Sequence, residues 1–344
     1  MAAKPRFDGE WVKLNQLCTK GRSALRQKDL TNDGPYAVYG ASGIVGSMPT
    51  FQNDIRYVAV VKDGAGVGRA SLCSANTSVL GTMQALIPVE EVSPEYLLHL
   101  IRAMRLGDGF SGSTIPHIYF KDYGQRLVRR VSMVDQGHIV DTLGSIERQM
   151  DIARGQLTKL DDFVKSRFAE MFENDSLVER AQLKDICSLI TDGTHQSPRF
   201  QGEGIPFLFV SNIADNKISY ETTKFISKED YEALIARTPI EVGDVLMSAV
   251  GSFGHPAIVK DERPFCFQRH IAYLKPIRER VNSSFLHAAL LSEESQQYMD
   301  KAAKGAAQRT VTLRSFKDLA VPLPPLALQQ EFADFAAEVD KSRF

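Results

Sequence analysis

Val134-Asp135-Gln136-Gly137-His138-Ile139-Val140-Asp141-Thr142-Leu143 opens a stretch, running on to Phe172, whose apolar pattern decides the fold. Ile139, Leu143, Ile146, Met150, Ala153, Leu157, Leu160 and Val164 are spaced 4, 3, 4, 3, 4, 3, 4. That is the a/d stripe of a coiled-coil seam. Gly144 and Gly155 fall off the stripe and cost about 1 kcal/mol each in a helix. Each stripe residue gains roughly 1.5–3 kcal/mol on burial. Burial therefore wins, provided another helix covers the seam. At 1.5 Å per residue the expected helix over 134–172 is about 60 Å long. An amphipathic helix lying on its own domain is the alternative.

On either side of this helix the chain repeats itself, an arrangement that takes precedence over any local motif. Lys13-Leu14-Asn15-Gln16-Leu17-Cys18 returns 169 residues later as Gln182-Leu183-Lys184-Asp185-Ile186-Cys187. Thr114-Ile115 and Phe120-Lys121-Asp122 return 196 residues later as Thr310-Val311 and Phe316-Lys317-Asp318. Between these anchors both halves predict a glycine-punctuated strand pair (Tyr57–Leu72, Gly243–Val259). A further strand follows (Val79–Pro88, Cys266–Pro276), then a short amphipathic helix (Pro94–Met104, Ser283–Leu291). The order matches better than the residues do, which suits one task carried out twice on different targets. After Pro322-Leu323-Pro324-Pro325, which suits the first turn of a helix, a second stripe begins with Phe332, Phe335, Ala336 and Val339. Gln329-Gln330-Glu331-Phe332 stands where Asp135-Gln136-Gly137-His138 stands in the first helix. The sequence stops at Phe344, so this second helix is expected to be short. Stripe residues near Leu157–Val164 are then expected to be uncovered and to depend on a partner chain. The expected fold class is α+β: two globular α/β domains (1–133 and 175–325) separated by long antiparallel coiled-coil helices (134–174 and 326–344).

Composition narrows the function. The 344 residues are 43% hydrophobic and 24% charged, as in a soluble globular protein. Net charge is −1, so any anion-binding surface has to be local. Residues 1–133 carry 16 Lys+Arg against 11 Asp+Glu, residues 134–175 carry 5 against 9, and residues 176–328 carry 18 of each. A basic first unit followed by an acidic helix fits a DNA-facing domain on a protein-facing rod. No apolar window reaches the ~18 residues that span a bilayer. The segment Met1–Arg6 lacks the apolar core of a secretory signal. A cytoplasmic protein with no membrane partner is expected. Cys18, Cys73, Cys187 and Cys266 form no CxxC pair, which argues against zinc and for buried, reduced thiols. No GxxxxGK[ST] loop, HExxH, GxSxG elbow or Asn/Asp-Pro-Pro-Tyr/Phe stretch occurs. The sequence shows no self-sufficient active site.

What remains are polar loops. Tyr36–Gly46 is a tight glycine loop carrying Tyr39 and Ser42. Lys62-Asp63-Gly64-Ala65-Gly66-Val67-Gly68-Arg69 sets two cations around three glycines. Its GxGxG spacing runs into a strand, not into the helix a dinucleotide fingerprint requires. Thr191–Arg199, Gly251–His255 and Gln268–His270 are dense in groups that can hydrogen-bond base edges. Each also reads as a polar surface turn.

These residues resemble the specificity subunit of type I restriction–modification systems. "PYAVYGASGIVG" looks like the opening of one class of target-recognition domain. "DGTHQSPRFQGEGIPFLFVSNI" and "GDVLMSAVGSFGHPAIV" look like another, and "VPLPPLALQQEF" resembles the segment that launches each spacer helix. The resemblance implies two target-recognition domains, each reading one half of a bipartite site in double-stranded DNA, and a chain without chemistry of its own. It implies methyltransferase subunits that bind S-adenosylmethionine and motor-endonuclease subunits that use ATP and Mg, with no cofactor on this chain. The DNA-binding candidates are Tyr39, Ser42, Lys62, Arg69, Ser113, Thr114 and His117 in the first unit. In the second they are Thr194, His195, Gln196, Arg199, Asn212, Ser252, His255, Gln268 and Arg309. All lie in or beside loops mounted on a core. Ile139, Leu143, Ile146, Met150, Leu157, Leu160, Val164, Phe332 and Phe335 are the subunit-interface candidates. The subunit of a related bifunctional restriction system, and a coiled-coil protein-interaction scaffold, stand as alternatives.

Overall fold

The structure, a computed structural model, describes residues 8–112, 115–173, 177–306 and 308–342. The chain divides into two compact units, Met1–Ile152 and Ala153–Phe344. In the first unit the strands are β1 (Gly9–Lys13), β2 (Cys18–Lys20), β3 (Tyr36–Gly40), β4 (Gly43–Met48), β5 (Tyr57–Val61), β6 (Ala70–Cys73), β7 (Ser78–Val79), β8 (Met83–Pro88) and, after helices α1 (Pro94–Ala103) and α2 (Phe120–Tyr123), β9 (Leu127–Val131). A four-stranded sheet runs β2-β8-β5-β6, a three-stranded one β4-β3-β7, and β1 pairs with β9. On β5, Val58 and Val60 enter one core while Tyr57, Ala59 and Val61 enter another. Both faces of this strand are buried, which is why it reads as an unbroken apolar run rather than an alternation.

Helix α3 spans Met133–Phe168 and is followed by a wider turn, Ala169–Glu173. It starts one residue before, and ends four residues before, the boundaries the periodicity predicts. The Ser132 hydroxyl accepts the Asp135 amide at 3.1 Å, the usual N-cap bond. The division between the units falls inside this helix.

The second unit repeats the plan. Its elements are β10 (Arg180–Gln182), α4 (Leu183–Ile186), β11 (Cys187–Asp192), β12 (Ile205–Leu208), β13 (Phe225–Ile226), α5 (Lys228–Ile235), β14 (Val245–Ser248), β15 (Pro256–Ile258), β16 (Cys266–Phe267), β17 (Ile271–Pro276), α6 (Ser283–Leu291), α7 (Glu293–Ala302), α8 (Leu313–Asp318), β18 (Ala320–Pro322) and α9 (Leu326–Lys341). The sheets are β11-β17-β14-β15, β13-β12-β16 and the pair β10-β18. Each answers to a sheet of the first unit, including the parallel pairing of β3 with β7 and of β12 with β16.

Backbone hydrogen bonds set the register of the repeat. The early anchor holds at 169 residues: Leu14 and Cys18 are buried as Leu183 and Cys187 are. The later one does not hold at 196. Ile118 donates its amide to Lys62 as Val311 does to Ala249. His117 bridges Asp63 and Ser111 as Thr310 bridges Val250 and Lys304. The matching residues are therefore His117 and Thr310, 193 apart, and buried Tyr123 matches buried Phe316. The shared Thr residues had suggested a register about one helical turn away.

The same spacing appears in the first turns of α3 and α9. Gln136 accepts the Ser93 amide (2.9 Å) and donates to the Glu91 and Val131 carbonyls. Gln329 accepts the Asn282 amide (2.8 Å) and donates to the Arg280 and Pro324 carbonyls. Gln136 thus matches Gln329, one residue from the alignment read in the sequence. Ser93 and Asn282 are the N-caps of α1 and α6, so each buried glutamine ties the start of a long helix to the start of a shorter one.

At its C-terminal end α3 meets α9. Phe168 and Phe332 have ring centroids 5.3 Å apart, as do Phe163 and Phe335. As one number falls the other rises, so the two helices run antiparallel where they touch. Phe168, Phe172, Phe285 and Phe332 fill one core, with Val164 and Phe335 against it. Ile139 packs on the first unit's core and Leu160 is half-buried. Between them Leu143, Ile146, Met150 and Leu157 are 38%, 47%, 48% and 40% exposed. The uncovered part of the seam is thus its middle, and Val164, expected to be bare, is covered.

Candidate nucleic-acid interface

The strand directions carry most of the candidate residues to one end of each unit's sheets. In the first unit β3 and β7 run parallel, β8 leaves the turn that ends β7, and β5 lies antiparallel to β8. The β3–β4 turn with Ser42, the turn Leu80–Thr82 and the loop Lys62–Arg69 therefore share an end. Gly64, Gly66 and Gly68 all have φ near +85°, a conformation that favours glycine. The Gly64 amide donates to the Pro116 carbonyl at 3.0 Å, which brings His117 alongside. His117 Nδ1 lies 2.7 Å from Asp63 Oδ1, and its ring stacks on Tyr119, over which Lys121 sits at 5.5 Å. Arg69 folds across Gly66: a Cβ there would lie 2.3 Å from its guanidinium. Lys62 is half-buried, Ser42 and Arg69 are exposed, and Tyr39 leans on the core. Ser113 and Thr114 lie outside the described residues.

In the second unit the same end holds the turn after β11 (Thr194, His195), the turn after β16 (Gln268) and the β14–β15 loop (Ser252, His255). Arg309 joins them through the bridge between Val250 and Thr310. Thr194 bridges Gln268 and its hydroxyl donates to the Gln196 carbonyl at 2.9 Å. His195 Nε2 lies 2.9 Å from Asp192 Oδ2. His255 is held between Ser252 and Asn216. Arg309 pairs with Asp300 at 2.7 Å and lies over the Phe253 ring at 5.2 Å. Gln196 and Arg199 are exposed in the loop that follows β11.

Asn212 is different. It is 7% exposed. Its amide oxygen takes the Phe209 amide and its NH2 group donates to the Ser219 and Glu221 carbonyls. Both amide protons and the amide oxygen are engaged within its own loop, so its part is to shape the surface. Sequence reasoning also passed over groups at these ends. Lys20, Arg22 and Arg269 are exposed there, and Asn216, in left-handed backbone with φ 58°, holds His255. An Asp-Asn turn signal marks Asn216; nothing local marks its partner.

The end-to-end match fixes equivalent positions. The Val61 amide donates to Arg69 as the Ser248 amide does to His255, and Leu80 donates to Tyr39 as Gln268 does to Leu208. Arg69 therefore matches His255, Leu80 matches Gln268, and His117 matches Thr310. One backbone frame presents different side chains at the same points. All four cysteines are buried. Burial pushes the thiols of Cys18, Cys187 and Cys266 up to about 12, so none is a nucleophile near neutrality. Among the described residues no metal-ligand cluster occurs and no helix is long and apolar enough to cross a membrane.

The chain holds two α/β units of one plan, with a long helix divided between them. Residues 176–343, within the second unit, match the family described as the type I restriction modification DNA specificity domain. Over 252 residues it is 23% identical to the type I restriction enzyme EcoBI specificity subunit of Escherichia coli, covering 64% of this chain and 53% of that protein. Over 272 residues it is 22% identical to the MjaVIII specificity subunit of Methanocaldococcus jannaschii, covering 71% and 63%. The chain thus spans between about half and somewhat under two thirds of the length of these relatives. The crystal structure of a type I restriction-modification system S subunit from M. genitalium matches all of this chain and 92% of that one, with TM-score 0.56 at 15% identity. That likeness is one of fold.

Proposed function

We propose that this chain is the non-catalytic DNA-reading subunit of a type I restriction–modification complex. Each unit reads one half of a bipartite duplex site through the loop end of its sheets. The target-recognition domains are residues 1–133 and 175–325, joined to the helical segments 134–174 and 326–344. The single observation that carries this reading is the repeated frame: hydrogen bonds hold equivalent positions in both units while the presented side chains differ, Arg69 against His255 and His117 against Thr310. Binding one class of ligand in two sequences calls for this arrangement. Phosphate contacts supply affinity and base-edge contacts supply sequence. The exposed seam residues Leu143, Ile146, Met150 and Leu157 are offered to other subunits. Methyltransferase subunits would bring S-adenosylmethionine, and motor-endonuclease subunits ATP and Mg.

Mapping methylated adenines in cells with and without this gene tests the reading. The expected result is a motif of two short specific halves with a fixed unspecified gap, lost when the gene is deleted. An unchanged methylation map, together with duplex binding by the chain that does not weaken with salt, would overturn it in favour of a protein scaffold.

A further inference from the structure

In the β14–β15 loop Ser252 Oγ lies 3.0 Å from His255 Nε2. His255 Nδ1 lies 3.2 Å from the side-chain oxygen of Asn216. An amide oxygen only accepts, so the Nδ1 position carries the ring proton. With that proton on Nδ1, Nε2 presents its lone pair, and the hydroxyl proton of Ser252 points at it. Ser252 has no other proton to give. Its exposed oxygen presents lone pairs alone.

The mount is stiff. The His255 amide donates to Ser248 Oγ at 2.9 Å. Gln296 donates to the Gly254 carbonyl at 2.8 Å. His287, half-buried on α6, reaches the carbonyls of Asn216 (3.2 Å) and Pro256 (3.1 Å) with its Nε2, clamping the Asn216 turn to the strand that follows His255. Burial lowers the His287 pKa, so its ring stays neutral and donates to both.

We propose that Ser252 is a base-reading residue whose hydrogen-bond polarity is set by His255, with Asn216 as the positioning residue. The proposal rests on the DNA-reading function above. An oxygen without a donor proton cannot bond phosphate, whose oxygens only accept. It can bond an exocyclic amine. In the major groove adenine N6 and cytosine N4 are the amines offered, whereas guanine O6 and thymine O4 only accept. Ser252 therefore selects adenine or cytosine at one position of the half-site read by the second unit.

Selection of duplexes from a randomised library by the full chain tests this. The wild-type motif should carry one adenine- or cytosine-restricted position that depends on Ser252. Ser252→Ala should cut that preference about tenfold and leave the other positions as they were. Asn216→Gly, which suits a φ of 58°, frees the ring to change tautomer and should admit guanine or thymine at that position. Asn216→Asp keeps an acceptor and should keep the preference. A motif unchanged in both Ser252→Ala and Asn216→Gly, or one degraded evenly along its length, would overturn the relay while leaving DNA reading intact. A wild-type chain that selects no motif and binds duplex without salt dependence would overturn the DNA-reading function itself, and the relay with it.

Discussion

Gln136 and Gln329 hold the same place for the same reason. Each sits in the first turn of a long helix, is at most 1% exposed, and satisfies three backbone groups. Replacing Gln329 with leucine keeps most of the volume but strands a buried amide and two carbonyls. Each stranded group costs about 1–3 kcal/mol. Gln329→Leu is therefore expected to lower the urea midpoint strongly with little change in slope, while Gln330→Leu, at an exposed site, leaves it nearly unmoved. His287 makes a second prediction. Its folded pKa is depressed by burial below the ordinary 6.5. The stability it contributes is thus present above about pH 6.5 and is lost as pH falls through the folded value. His270 is shifted in the same direction by burial and by Arg269. Denaturation midpoints measured between pH 7.5 and 5 should fall for the wild type and fall less for His287→Gln. Equal slopes for the two proteins would show that this imidazole takes up its proton as readily in the fold as in the unfolded chain, and the depressed value would be overturned.

At the scale of elements, α3 behaves as two helices in one. Its last turns are core: Phe168 touches Phe172, Phe285 and Phe332 at 5.2–5.4 Å. Phe332→Ala in α9 empties that cluster, and a loss of about 3–5 kcal/mol is expected. The middle turns are surface, so Ile146→Lys should shift the midpoint by no more than about 0.5 kcal/mol. A large loss from Ile146→Lys at low concentration would mean that the seam is already covered in solution. This contrast sets the limits of what the sequence made legible. The heptad spacing announced α3, because period is a property of the sequence. Which part of the stripe is covered depends on where α9 lands, and no local pattern encodes that. The glycine loop was legible at Gly64 and Gly68, since positive φ has a residue signature. The register of the repeat was misread at Thr114 because side-chain likeness is a weaker guide than the backbone bonds that pair His117 with Thr310. Asn212 looked like a reader, since a polar residue beside a strand reads alike whether its amide faces water or its own loop.

Across the whole molecule the consequence of the repeat is independence. The loop ends of the two units share no residue, and substitutions without shared partners act additively. Arg69 and Arg199 are exposed cations on different units. If Arg199 reads a base, Arg199→Ala should weaken binding by about 1–3 kcal/mol and relax one position of one half-site. If Arg69 contacts phosphate, Arg69→Ala should weaken binding evenly over all sequences and reduce the salt slope by about one. The double variant should combine the two losses and leave the motif of the first unit as sharp as before. Methylation motifs and salt titrations of the three variants measure these outcomes. Relaxation in both half-sites from Arg199→Ala alone would mean that the units do not read independently, and the repeated frame would then need a different explanation from two separate readers.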